Sequence, residues 1–193
     1  LRRGQRIVQA ISLYCAKGRK SEAGTAEVEA IIRGLDQCLR EESGIAFYSM
    51  PNVATYSGRA TYDGAAGTIL YDPAYLAAQR PYAKAFWLAA AFGGHIVNLE
   101  KRQYGTTRTP AQYVGERDVI SGYLIHCLVI RGVLPRVTNM SEDDPRLQYD
   151  AFLAQGGFLL PGDPPGVQQY RADWEQGWRL QGMTLAPSIL PPR

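Results

Sequence analysis

The stretch AKAFWLAAAFGGHIV, residues 83–97, is the longest apolar run in the chain and the strongest constraint on what it can fold into. Lys84 and His95 interrupt it, and it stops short of the roughly 18 consecutive apolar residues that a membrane span requires. It reads as a helix running from about Pro81 to Tyr104. A second long helix follows, with Thr109 as N-cap and Pro110 at the first helical position, where proline's missing N–H costs nothing. It continues to Gly132 and places Tyr113, Ile120, Leu124 and Leu128 on one face.

A chain of 193 residues accommodates one domain with a sizeable core. The 46% hydrophobic and 20% charged residues are those of a globular protein rather than a disordered one. Net charge is only +3, and no basic block exceeds GRK or EKR, so the electrostatic stripe of a nucleic-acid binder is missing. The chain opens on Leu1 with no recognisable signal peptide, and an upstream segment is expected to have been removed. Three cysteines permit one disulfide with one thiol left over. Cys15 and Cys38 lie on adjacent predicted helices and can pair, which makes Cys127 a buried thiol; such sparse usage suits either redox compartment.

Before the long helices, RIVQAISLYCAKG predicts a first helix. A second begins near Thr25, with Glu27 and Glu29 in its first turn and Val28, Ile31, Ile32, Leu35 and Leu39 buried. Periodicity then changes. Turn signals at Pro51-Asn52, Ser57-Gly58, Asp63-Gly64 and Asp72-Pro73 separate expected strands near 45–49, 53–56, 59–62 and 67–71, a small antiparallel sheet. The C-terminal part predicts two shorter helices around a Gly/Pro loop. The expected class is α+β: a small antiparallel sheet packed on long helices, with a helical segment at 1–43, the main domain at 44–183 and an extended tail at 184–193.

Five short segments, in order from about Phe47 to Trp178, resemble the minimal peptidase domain of the CAAX-type, heat-shock membrane and neutral zinc metallopeptidases. PNVATYSG is similar to the segment before their edge strand, and TILYDPAYL to that strand and the helix start after it. AFGGHIVNLEKR lies over the helix that carries His-Glu-x-x-His, with Gly94, His95 and Val97 matching; VGERDVISG matches the following helix at Asp118 and Gly122. PPGVQQYRADWEQGW is similar to a late segment with Arg, Trp and Gly. The resemblance implies a zincin-like fold in which two histidines and a third ligand hold zinc while a glutamate activates water. Here the first histidine is Ala91, the general-base glutamate is Phe92 and the third ligand is Val114. His95 alone cannot hold zinc, which needs about three protein ligands.

The reading is therefore a vestigial site at Ala91, Phe92, His95, Val114 and Asp118, with no catalytic residue, metal or cofactor. What such a fold retains is its groove. If GTILYD is the sheet edge, a peptide can add to it as a strand, with Tyr56, Tyr62, Tyr71 and Tyr75 as aromatic contacts. The expected function is a catalytically inactive scaffold binding a protein or peptide, with no nucleic acid and no transmembrane span in this chain. An exported, periplasmic or membrane-associated setting is expected over the cytoplasm.

The alternatives are a hydrolase with a rearranged site and a helical subunit of a larger assembly. For a rearranged metal site, His95 and Glu100 point about 140° apart on one helix, a poor geometry. Core hydrogen bonding suits His95 and core packing suits His126; Gly93-Gly94 marks a close approach of a neighbouring element. No Gly-x-Ser-x-Gly elbow or phosphate loop is present.

Overall fold

The computed structural model describes residues 23–136 and 168–180. The helix predicted around residues 7–15, Cys15, the first of the two predicted C-terminal helices and the tail from 184 lie outside the described residues. Eight elements follow in order: α1 (Ala23–Glu41), β1 (Asn52–Thr55), β2 (Ala60–Asp63), β3 (Thr68–Tyr71), α2 (Pro73–Ala77), α3 (Pro81–Tyr104), α4 (Pro110–Ile130) and α5 (Gln168–Arg179). The class is α+β.

Local chemistry sets the boundaries. Asp72 caps α2 by accepting from the N–H groups of Ala74 and Tyr75, and Pro73 fills the first helical position. Helix α3 stops at Gly105, whose φ of 65° is the left-handed geometry that lets its N–H return to the Lys101 carbonyl. Four residues later Thr109 and Gln112 form a reciprocal capping box that starts α4. Helix α1 begins at Ala23, so Glu27 lies in its second turn rather than its first, and its carboxylate meets the buried Lys84 ammonium at 2.5 Å. That pair lets α3 bury a lysine against α1.

The sheet differs from the expected one in three ways. Its order is β1-β3-β2, with β1 parallel to β3 and β2 antiparallel to it, so it is mixed rather than antiparallel. The segment 45–49 is not a strand. Its backbone turns because Ser43 Oγ donates to the Leu39 carbonyl and accepts from the Ile45 N–H, and the Tyr48 N–H bonds back to the Ile45 carbonyl. Its apolar residues pack against helices instead: Ile45 is buried, Phe47 stands edge-on to Tyr104, and the Tyr48 hydroxyl donates to Asp36 of α1. Finally, GTILYD contributes the central strand β3, with both edges already paired. Strand addition to β3 is therefore closed off; β1 and β2 are the edges.

Helix α3 sits at the centre, packed on α4, α1, β2 and β3, and nearly every residue from Tyr82 to Val97 is buried. Two helix contacts are close enough to require glycine. A Cβ on Gly93 would lie 2.8 Å from the Arg117 carbonyl oxygen of α4; one on Gly122 would lie 1.9 Å from the Trp174 carbonyl oxygen, and one on Gly177 would lie 1.8 Å from that of Val119. Backbone faces backbone at both crossings, so α4 is held between α3 and α5 at minimum separation. Trp174, at the second crossing, packs edge-on against Phe86 of α3.

A disulfide joins Cys38 of α1 to Cys127 of α4, with Cα atoms 6.2 Å apart. This replaces the expected Cys15–Cys38 pair, and Cys127 is not a free thiol. Both cysteines are fully buried where α1 crosses α4, which brings them into bonding range. The bridge closes a sequence separation of 89 residues, a long loop whose closure entropy is removed from the unfolded chain. Substituting Cys127→Ser is expected to lower unfolding stability by about 2–5 kcal/mol in urea titrations. Identical midpoints for the variant and the parent would count against a stabilising bridge.

Candidate functional site

His95 projects from α3 toward the sheet. Gly93 faces α4, and two residues further on the side chain points roughly 200° round the helix, away from that contact. The imidazole is buried and held at both nitrogens: Nε2 lies 2.7 Å from the Ser49 carbonyl oxygen and Nδ1 lies 3.1 Å from the Tyr62 hydroxyl. A carbonyl only accepts, so Nε2 carries the proton. Burial lowers the basicity of the ring and outweighs the bond to Ser49, which favours the neutral form. Nδ1 is then an acceptor, and the Tyr62 hydroxyl donates to it. The Tyr62 oxygen in turn accepts from Asn98 Nδ2 at 2.9 Å. The result is a directed chain, Asn98 to Tyr62 to His95 to Ser49, with the Tyr62 and Tyr48 rings edge-on to the imidazole.

This arrangement bears directly on the zinc that the resemblance implies. A metal needs a free imidazole lone pair, and the single lone pair of His95 is engaged by Tyr62. Ala91, Phe92 and Val114 are buried in the apolar core and offer no donor atom. Asp118 is fully buried beside Arg117, with 3.7 Å between Nε and Oδ1, and burial raises its pKa well above the ordinary range. It stands one turn from Gly122, on the side of α4 facing α5, where Asp173 adds to its rise. His95 is bonded to Ser49 and Tyr62, whereas Asp118 is paired with Arg117. These side chains do not fit a zinc ion, and among the described residues no group of three His, Cys, Asp or Glu is placed to hold a metal.

Beside the histidine chain lies a cleft of about 320 Å³ between β2, α3 and the start of α4. Gly94, Val97 and Asn98 line it from α3, Tyr62 and Gly64 from the sheet side, and Tyr113 from α4. Gly94 keeps it open, since a Cβ there would come within 2.6 Å of the Tyr113 hydroxyl. The loop after α3 closes one side with Thr106, Arg108 and Thr109, and Lys101 stands at the rim.

Behind that loop, Arg108 is held between two carboxyl groups. Its Nη2 meets Glu100 Oε1 at 2.5 Å, its Nε meets Glu116 Oε1 at 2.6 Å, and its Nη1 donates to Thr106 Oγ1. One cation faces two carboxylates, of which Glu100 is fully buried and Glu116 partly so, and this favours a proton on the pair. Burial, reinforced by the negative charge of Glu116, pushes Glu100 up to about 7, against the opposing pull of Arg108. Glu100, considered above as part of a rearranged metal site, instead forms with Glu116 and Arg108 an ionic cluster that pins the loop to both helices.

Of the four tyrosines proposed for peptide contact, only Tyr62 lines the cleft. Tyr56 folds over its own turn and accepts from the Arg59 N–H. Tyr71 is buried in β3, where the expected free edge would have exposed it. Tyr75 stands edge-on to Trp87, with the Arg59 guanidinium over both rings. His126 stacks on Trp178 with ring centroids 4.1 Å apart and bonds the Trp178 carbonyl, joining α4 to α5. The remaining cleft residues were not anticipated. Their signal was the polar GTTRT turn between two strongly capped helices, which has to place Arg108 beside the acids on both.

No protein-family model, no curated protein and no solved structure matches this chain.

The Glu100 proton has a measurable consequence. A folded pKa near 7 against an ordinary 4.5 means the protonated carboxyl is favoured by folding, so its contribution is complete below about 4.5 and lost as pH rises through 7. Glu100→Gln, which keeps the neutral cluster but does not titrate, is expected to lose less stability than the parent across that window. Equal slopes of urea midpoint against pH in the two proteins would refute the shared proton.

Proposed function

We propose that this chain is a non-catalytic, peptide-binding module of a zincin-like, degenerate metallopeptidase design, whose binding surface is the cleft between β2, α3 and α4. The observation that carries this reading is the state of His95. The one histidine that matches the expected zinc helix is buried, neutral and bonded at both nitrogens behind Tyr62 and Asn98, which line an open cleft, while the positions of the missing ligands are filled by core side chains. The metallopeptidase likeness rests on the order of sheet, helix and following helix together with Gly94, His95, Val97, Asp118 and Gly122.

The cleft supports ligand binding by its size, which falls in the roughly 300–1,000 Å³ range of small-ligand sites, and by its apolar floor with a few convergent polar groups. The rearranged-hydrolase alternative has less behind it: His95 has no lone pair left to act as a base, and Glu100 and Glu116 are shut behind Arg108. A buried disulfide supports an oxidising, exported setting. Among the described residues no helix is long and apolar enough to cross a membrane.

Peptides selected by display on the folded protein are expected to protect the α3 C-terminal turns and the 105–109 loop from hydrogen exchange. Tyr113→Ala is expected to weaken them by about tenfold or more, the loss of one good aromatic contact. Zinc bound stoichiometrically by the purified protein, with proteolysis that a chelator abolishes, would overturn the proposal. So would peptides whose protection maps wholly outside the cleft.

A further inference from the structure

The polar groups of the cleft are unbalanced in one direction. Eleven residues line it, and none is an aspartate or glutamate. The Lys101 ammonium at its rim makes no ion pair or hydrogen bond among the described residues, in contrast to the Arg108 guanidinium, whose charge is taken up by Glu100 and Glu116. The Tyr113 hydroxyl, 2.6 Å from the Cβ position of Gly94, has no protein acceptor among the described residues. The Thr106 hydroxyl oxygen accepts from Arg108, which leaves its own proton free to donate. Asp63, which follows Tyr62, has Oδ1 turned to the N–H groups of Ala65 and Ala66 in its own turn. An uncompensated ammonium and two free hydroxyl donors thus converge above a floor of Gly94, Val97 and Pro110, walled by the rings of Tyr62 and Tyr113.

We infer that this cleft takes a carboxylate carried on an apolar or aromatic group, supplied by the C-terminal residue of a peptide. The inference rests on the peptide-binding reading above and names the part of the peptide that is recognised. Charge complementarity selects the carboxylate, and the apolar floor selects the group beside it. The C terminus is favoured because the space suits one residue, and because β2, which contributes Tyr62, ends the sheet at this side. A chain leaving the cleft can therefore run along the β2 edge by strand addition.

The test uses the full chain and three probes: acetyl-Ala-Ala-Phe with a free carboxylate, the same peptide as its C-terminal amide, and N-acetylphenylalanine. Amide NMR shifts and titration calorimetry are read on the parent, Lys101→Gln and Gly94→Ala proteins. Alanine suits a helix better than glycine, and the group it meets at position 94 is the end of a movable side chain, so Gly94→Ala is expected to fold and to narrow the cleft. The free-acid peptide is expected to shift Gly94, Lys101 and Thr106, to bind about tenfold or more tightly than its amide, and to lose a similar factor in either variant.

If acid and amide bind the cleft equally, the carboxylate inference falls while the peptide-binding reading stands. If N-acetylphenylalanine binds as tightly as the peptide, a free carboxylic acid replaces the peptide terminus as the ligand, which overturns the named source. If inorganic phosphate displaces the peptide at equal ionic strength, the site is a general anion site and the inference is wrong. If no probe shifts the cleft residues, both readings fail together.

Discussion

Backbone-to-backbone contact at three glycines sets the geometry on which the rest depends. Gly93 allows α3 to touch α4, and Gly122 with Gly177 allows α4 to touch α5, each at a distance where a methyl group would collide with a carbonyl. Main-chain atoms cannot move aside as a flexible side chain does, so these contacts fix the rotation of α3 about its axis. Once Gly93 faces α4, His95 must face the sheet, and Gly94 and Asn98 must face the space beside β2. The cleft and the histidine chain therefore follow from helix packing.

The polar groups inside this frame are individually costly and collectively matched. A buried imidazole is acceptable because each nitrogen finds a partner of the right kind, and Tyr62 serves as both donor and acceptor between His95 and Asn98. Arg108 is acceptable because two carboxyls meet it, and both carboxyls are tolerated because they share its charge while burial raises the pKa of Glu100 to about 7. Asp118 is the exception. Both its oxygens are buried, as is the Ser121 hydroxyl one turn on, and its nearest cation, Arg117, stands 3.7 Å away; burial therefore raises the pKa of the acid more than Arg117 lowers it.

Much of the helical frame was legible in the sequence because its signals are local. Pro81, Gly105, Thr109 with Pro110, and Gly132 mark the ends of α3 and α4 through backbone geometry and capping alone. The sheet was less legible, since strand order and direction depend on long-range pairing. TILY alternates no differently as a central strand than as an edge strand, and the 45–49 segment carries strand-like residues that packing and the Ser43 hydroxyl draw into turns. The disulfide partner of Cys38 was hidden for the same reason: sequence proximity favoured Cys15, whereas the crossing of α1 over α4 selects Cys127. At the candidate site, His95 was identified from its motif-like setting, but Tyr113, Lys101 and Arg108 become neighbours only when the two capped helices fold against each other.

The central claim is that His95 is a neutral structural link rather than a metal ligand. Long-range nitrogen–proton NMR of the His95 ring near neutral pH tests it most directly, with and without an equimolar addition of zinc. The expected spectrum shows a neutral ring protonated at Nε2, with Nδ1 accepting a hydrogen bond, and no change when zinc is added. A proton found on Nδ1, or a zinc-dependent shift of either ring nitrogen, would contradict the account.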